Sequence, residues 1–583
     1  MQMNRPARDR PGWMSGTPER TAALLLSWLA LIEIIVAFGW AFELNAVKTA
    51  PLFAFVLCGA YCAWVGMRTG EIRRWLGALF ASAILTAGCL ALATLSHDFS
   101  ADGQTYHQQA VLAINEGWNP LRSVVYNGPY SIWVSHYAKG PWIISASLMA
   151  VTGSIEAGKG VAYILLICAA LLIYQTFSYL YDQRTSFLAG AALVAAFNPV
   201  VSYQLQTYYF DAHVASLLAI VACLVFLVSK TGGATYVIAL IASLVLAINT
   251  KFSMLPYSVV VLGVALTLLL LFGKLTTRVV WAAIAGVVLG IFVGVNPYVT
   301  NWLVKGHPFY PLYGNNAINI MTGNVSDTFL EKNRFEKFAL SMFSEVEPRG
   351  SVDLDQSEDH VRPKIPLSVT SSELKAFYKY TDIRIAGFGP LFGGVLVIIA
   401  LTLLLSGKPK AFTSNEILFV APMIGLLIAL FLMPESWWAR YAPQTWFIAI
   451  AALFMLIMRS GRKYARITGY VGLAVATLNV LIILTLALAN RLVVELDYRA
   501  QARSLADISA RVGALQVSNL NDSIRHRFVA QGIPLREAKS FSCDGLADNL
   551  IQTDTKVCIP AGEAVHYRPG SPWIAQLRSR VVD

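Results

Sequence analysis

The sequence predicts an all-α polytopic membrane protein. About thirteen transmembrane helices carry large loops on one face, and a small α+β extramembrane piece follows the last span. Three observations lead there. Of 583 residues, 56% are hydrophobic and only 14% are charged, with a mean hydropathy of +0.57; ordinary soluble chains are about 25% charged. The apolar residues gather into runs near the ~20 residues that a bilayer span needs. The net charge of +11 comes from Lys and Arg placed between those runs, as topology signals are, so it does not point to nucleic acid. A soluble enzyme, a disordered chain and a nucleic-acid binder are set aside.

The runs lie near 21–42, 49–67, 75–95, 160–180, 187–203, 211–229, 233–249, 254–272, 278–298, 386–406, 415–433, 440–458 and 467–490. Arg5, Arg8, Arg10 and Arg20 precede the first. That run is too long for a signal-peptide core, which reads as an uncleaved span. With the N-terminus in the cytoplasm, the inside loops hold Arg68, Arg73, Arg74, Arg184, Lys230, Lys274, Arg278, Lys408, Lys410, Arg459, Arg462, Lys463 and Arg466. The short outside turns hold only Lys48, Lys251 and Arg440. This asymmetry predicts an inner (plasma) membrane protein with a cytoplasmic N-terminus and, for an odd span number, a periplasmic C-terminus.

Three hydrophilic pieces, 96–159, 299–385 and 491–583, then share the outer face, where a protein built this way does its work. The expected organisation is a membrane domain over 1–490 and a periplasmic piece over 491–583. In the first loop, 104–116 reads as an amphipathic helix that Asn119-Pro120 ends. The apolar stretch 141–151 is too short to span; it reads as an interfacial helix with Trp133, Tyr137 and Trp142 as anchors. The second loop runs from an aromatic, Pro-rich stretch at 306–311 to an acidic segment at 353–359 that reads as mobile. The last piece opens with helical spacing at Leu505, Ile508, Val512 and Leu515. Cys58, Cys62, Cys89, Cys168 and Cys223 lie in apolar runs and read as core residues. Cys543 and Cys558 lie outside, where an oxidising compartment permits a disulfide. Closing a loop of that length stabilises by ~3 kcal/mol in the chain-entropy model. No repeat or low-complexity tract is present.

Ionisable residues at a membrane rim are costly and mark function. Asp98, Asp102, Lys139, Asp211, Lys251, Glu435 and Arg440 all fall at the outer rim. Asp102 is the first candidate for a general base, because an apolar surround raises a carboxyl into a useful range. The plain alternative is an N-cap for the helix near Gln104. Asp98 is the second candidate base. With His97 and His107, these acids leave a divalent metal open, on weak spacing. Asp211 begins an apolar run, where a helix N-terminus favours an anion. Lys139, Lys251 and Arg440 read either as snorkelling cations or as a phosphate-handling set, for which Arg is best suited. Glu33, inside the first run, reads as paired within the bundle.

In order, these residues resemble the motifs of the GT-C glycosyltransferases, most closely the branch holding protein O-mannosyltransferases and the lipid A aminoarabinose transferase. The match runs over roughly 75–460. It comprises Asp102-Gly103-Gln104-Thr105-Tyr106-His107, then Tyr137-Ala138-Lys139-Gly140-Pro141 with Gly140 in place of Pro. Asp211 follows, then Ala247 to Lys251-Phe252, Asn296-Pro297-Tyr298 through Pro311, and Trp437-Trp438-Ala439-Arg440-Tyr441-Ala442-Pro443. A single Asp stands where the family has an acidic pair.

The resemblance implies transfer of a sugar from a polyprenyl-phosphate donor to a hydroxyl of an outer-face glycan, lipid or protein, with inversion. It implies Asp102 and Asp211 as catalytic carboxylates, with Asp98 the alternative base by position, and Tyr106, His107, Lys139, Lys251, Arg440 and Tyr441 as substrate-binding residues, to which the rim reading adds Glu435. Membrane lipids are the remaining partners. Two other readings stay open: a polysaccharide polymerase or ligase, which calls for Arg-rich outer loops, and a secondary transporter, which calls for broken helices near mid-membrane.

Overall fold

The computed structural model describes residues 16–320, 326–346, 361–407 and 411–581. Arg5, Arg8 and Arg10, Lys408 and Lys410, and the acidic segment 353–359 lie outside them. All thirteen apolar runs are helical: α1 Thr17–Ala41, α2 Ala50–Thr69, α3 Ile72–Ala93, α4 Gly160–Tyr181, α5 Ser186–Ala196, α6 Asp211–Thr231, α7 Ala234–Thr250, α8 Met254–Leu271, α9 Thr277–Val293, α10 Phe392–Ser406, α11 Ser414–Leu432, α12 Gln444–Arg459 and α13 Lys463–Val512.

Among the described residues, eight helices can cross a membrane by length and composition, or nine if α9 and the stretch Val295–Lys305, bent by 71° from it, form one span. The other four are shorter. α5, α7, α10 and α12 have 11, 17, 15 and 16 residues, below the ~20 that hydropathy suggests. The runs for α5, α10 and α12 overshoot their helices, while that for α7, 233–249, matches its own. Asn198-Pro199 ends α5, and the Asn198 side chain caps the short helix Pro199–Gln204 while donating to the Pro443 carbonyl. α7 stops at Thr250 because Lys251 is extended. α12 starts only after Pro443.

α6 is the central helix, buried at every residue from Asp211 to Val228. It packs against α4, α7, α8, α11 and α12. A helix that is apolar all round belongs in such a place. α2 and α3 instead turn Leu52, Phe53, Met67, Phe80 and Ile84 outward, as a lipid-facing surface does.

The apolar helix Gly140–Thr152 does not lie in an interface. It is buried from Gly140 to Met149 and packs against Gln108–Asn115 and Ile155–Lys159. Trp142, read above as an anchor, is an inner residue; apolarity on all faces draws this helix inside the protein. The 104–116 stretch starts as a π-turn, Gly103–His107, and continues as Gln108–Asn115.

α13 is 50 residues long and passes unbroken through position 490. Beyond it, β1 Leu515–Ser518, β2 Leu535–Glu537, β3 Leu546–Asn549 and β4 Lys556–Ile559 form a sheet of order β2-β1-β4-β3. β1 and β2 are parallel, crossed over by the helix Asp522–Val529, and the other pairs are antiparallel. Val494, Tyr498, Ala502, Leu505 and Ile508 form one stripe of α13 that packs on Val517, Ile524, Phe528 and Val557. Cys543, in the connection between β2 and β3, is bonded to Cys558 of β4, with Cα atoms 5.4 Å apart.

Candidate functional site

Asp102 stands at the end of a tight turn that follows α3. The buried Asp98 carboxylate organises that turn, accepting from the Ser100 amide (2.8 Å), the Ser100 hydroxyl (3.0 Å) and the Tyr208 amide (2.8 Å). Gly103 is required there, since a Cβ would collide with the Asp98 carboxylate and Ser100 Oγ. Asp102 makes no cap bond to the helix it precedes. Its carboxylate accepts from the Tyr106 hydroxyl (3.2 Å) and from Arg440 Nη2 (3.4 Å).

Arg440 gathers three acids. Its Nε donates to Asp211 Oδ2 at 2.7 Å, Nη1 lies 2.7 Å from Asp382 Oδ2, and Nη2 reaches Asp102. The guanidinium also lies 4.4 Å from the Tyr209 ring centroid and 5.6 Å from that of Trp438, a stacking that suits a planar cation. Lys251 Nζ donates to the other Asp211 oxygen at 2.5 Å and lies 4.2 Å from the Tyr441 ring. The early stop of α7 is what frees Lys251 to turn toward the first residue of α6. Gln204 Nε2 completes the shell of Asp211 at 3.3 Å.

Exposure separates the roles. The Asp211 side chain is 2% exposed and that of Arg440 9%, while those of Asp102 and Lys251 are 31% and 24% exposed. Lys251, Asp211 and Arg440 line a small cavity of ≈ 50 Å³ walled by Tyr106, His107, Tyr137, Trp142, Phe252 and Tyr441, and Asp102 stands next to that wall through Tyr106 and Arg440. Burial raises the Asp102 carboxyl above its usual range; Arg440 opposes this, and Asp382 and Asp211 reinforce it. His107 is held well below the usual imidazole range by burial, and its Nδ1 accepts from Trp142 Nε1 at 2.9 Å.

The remaining sequence candidates lie elsewhere. Asp98 is fully buried and shapes the turn, so it has no open face from which to act as a base. Lys139 is buried too and donates to the Ser135 and Tyr137 carbonyls at 2.9 and 2.8 Å; it neither snorkels nor joins the cation set. Glu435 does not pair with Arg440 or line the cavity. Burial raises its carboxyl, and Lys337 and Lys251 act against this. His97 is taken by Glu495, with Nδ1 at 3.0 Å, and His107 by Trp142, so the two histidines are not gathered with Asp98 and Asp102. Among the described residues, the sole close group of three metal-type side chains is Cys543, Asp544 and Cys558, and its two sulfurs are joined in the disulfide. Glu33 is buried, but its Oε2 has no hydrogen-bond partner among the described residues. Glu33 and Asn249 fill the space where a Cβ at Gly140 would sit, which accounts for glycine at that motif position.

Two residues were missed. Asp382 lies four residues before an apolar run, so the rim criterion that selected Asp211 applies to it equally. Tyr209 carried no signal beyond its place beside Asp211.

Fold and site together describe a polytopic membrane protein whose charged, aromatic-walled centre lies at one end of its helices. No protein-family model and no curated protein matches the chain. Among solved structures it is similar to the crystal structure of ArnT from Cupriavidus metallidurans bound to undecaprenyl phosphate, at 13% identity and a TM-score of 0.42, over 78% of this chain and 85% of that one. It is also similar to the arabinosyltransferase EmbB from Mycobacterium smegmatis, at 14% identity and a TM-score of 0.32, over 74% of this chain and 42% of that one.

Proposed function

We propose that this protein is an inverting membrane glycosyltransferase that moves a sugar from a polyprenyl-phosphate donor to a hydroxyl of a glycolipid, polysaccharide or protein on the outer face. The observation that carries the reading is the charge balance of the Arg440 cluster. Two cations, Arg440 and Lys251, face three carboxylates. Of these, Asp102 has the longest contact to Arg440, at 3.4 Å against 2.7 Å for the others. It is also the most exposed of the three. A carboxylate that is weakly paired, raised by burial and still partly exposed is the one suited to take up a proton.

The acceptor oxygen attacks the anomeric carbon, and its proton passes to Asp102. The bond from that carbon to the phosphate oxygen breaks, and its electron pair leaves with the polyprenyl phosphate. Lys251 and Arg440 stabilise the charge that develops on the leaving phosphate. Asp211 holds both cations in place, and Tyr106 orients Asp102. The aromatic wall receives the sugar ring, and the order of motifs over 75–460 supports the same donor class.

The test is sugar transfer in membranes of a deletion strain, with radiolabelled polyprenyl-phosphate sugars, comparing wild type and Asp102→Asn. Transfer by wild type and a loss of at least ~10²-fold in an equally expressed variant is expected; the labelled product names the acceptor. Equal transfer by the variant removes Asp102 as base.

A further inference from the structure

The C-terminal piece is tied to the very turn that presents Asp102. Arg527, on the helix Asp522–Val529, is buried. Its Nη2 donates to the Asp98 carbonyl at 2.7 Å and its Nη1 to Gln104 Oε1 at 3.1 Å. Asp98 and Gln104 stand on either side of Asp102 in the chain. Gln104 Nε2 donates onward to the Gln552 carbonyl at 2.9 Å, in the connection between β3 and β4. Phe99, from the same turn, is a member of the C-terminal core together with Tyr498 and Phe528. The Arg527 guanidinium lies 5.1 and 5.7 Å from the Phe99 and Tyr498 rings. Two more ties flank these: the His97 amide to Glu495 Oε2 and Gln109 Nε2 to Asp522 Oδ2, each 2.8 Å.

The choice of arginine is informative. Among the described residues no carboxylate lies within ion-pair distance of Arg527. Its direct partners are two neutral oxygens and two ring faces, and the Glu156 carboxylate acts on it only from beyond that distance. A contact that only glued two pieces together would be met as well by an apolar side chain, without the desolvation cost. A planar fork does something an apolar residue cannot: it fixes two acceptors relative to each other. Here those acceptors are the two ends of one turn. Asp98 holds the turn from within, through Ser100 and Tyr208, and Arg527 holds it from above.

We propose that Arg527 is a positioning residue, whose guanidinium sets the turn 98–104 so that Asp102 meets Arg440 and Tyr106. The C-terminal piece is thereby part of the catalytic apparatus and not a cover over it. This rests on the reading of Asp102 as the base.

The experiment uses the full-length protein with Arg527→Leu. Transfer is expected to fall at least ~30-fold in kcat with donor KM changed less than about threefold, since small misplacements of a catalytic group act on the chemical step. The acid-side limb of the pH–rate profile is expected to move to higher pH. The charged and titratable groups facing Asp102 are Arg440, Asp382, Asp211, Tyr106, Tyr137, Tyr209 and Tyr441. Drawn away from Arg440, Asp102 loses the one cation that keeps it ionised against burial and the two other acids. Should Arg527→Leu fold poorly, Gln104→Met cuts the same tie from the loop side and carries the same expectation. An unchanged kcat, or a loss that only tracks the folded fraction with the limb unmoved, overturns the proposal. If wild type transfers no sugar, the functional reading has failed and hydrogen exchange decides the tie. Amides of 99–106 exchanging at least ~10-fold faster in Arg527→Leu, with β1–β4 unchanged, uphold it; equal exchange overturns it.

Discussion

Arg440 is a single residue that organises three carboxylates through three different nitrogens. Lysine offers a point charge and cannot reproduce that geometry. Arg440→Lys is therefore expected to retain the fold but lose at least ~10²-fold in kcat, checked by steady-state transfer on purified protein. Asp382 allows a test with a definite sign. Its negative charge disfavours the ionised form of Asp102 and so raises that carboxyl. Asp382→Asn lowers it again. Because a general base works only when ionised, the acid-side limb of kcat/KM moves to lower pH in Asp382→Asn, the direction opposite to that expected for Arg527→Leu. A limb that stays put would show that Asp102 is not the group titrating.

At the scale of elements, the site is made where helices stop or start. α6 begins on Asp211, α7 ends one residue before Lys251, and α12 begins four residues after Arg440. Hydropathy alone ran the α12 stretch together with Arg440 at its polar end, and read 141–151 as an interfacial helix because length cannot distinguish an interfacial helix from a buried one. The π-turn is tightly packed at Gly103. Gly103→Ala puts a methyl group against the Asp98 carboxylate, and overpacking of this kind costs about 1–3 kcal/mol. A lower midpoint of thermal unfolding and a fall in transfer of at least ~10-fold are expected together, because the strain falls on the turn that carries Asp102.

For the whole molecule, the proposed orientation puts the site, the second loop and the C-terminal sheet on the outer face. Val565 is 91% exposed near the C-terminus, and Leu275 is exposed in the α8–α9 connection. Val565→Cys is expected to react with a membrane-impermeant maleimide in intact cells, and Leu275→Cys only after permeabilisation. The five free native cysteines are buried, so the background is low. The reverse pattern would invert the topology and with it the face on which the acceptor is met.

Apolar runs and the Lys/Arg asymmetry between them are local properties of the chain, which is why thirteen helices and an expected orientation were legible without coordinates. Asp102, Asp211, Lys251 and Arg440 were legible as well, because a charge at the edge of an apolar run is conspicuous in one dimension. What only the tertiary structure decided is which charges meet. Asp98 and Asp102 are four residues apart and look alike in sequence. One is fully buried beneath a turn and the other is partly exposed beside Arg440, because Tyr208 and Arg440, both more than a hundred residues away, select between them. Lys139 and Lys251 are separated in the same way: one is capped by its own local carbonyls, the other drawn to Asp211. Pairing of charges depends on distances of a few ångströms between segments far apart in the chain, and the linear pattern of residues holds no record of those distances.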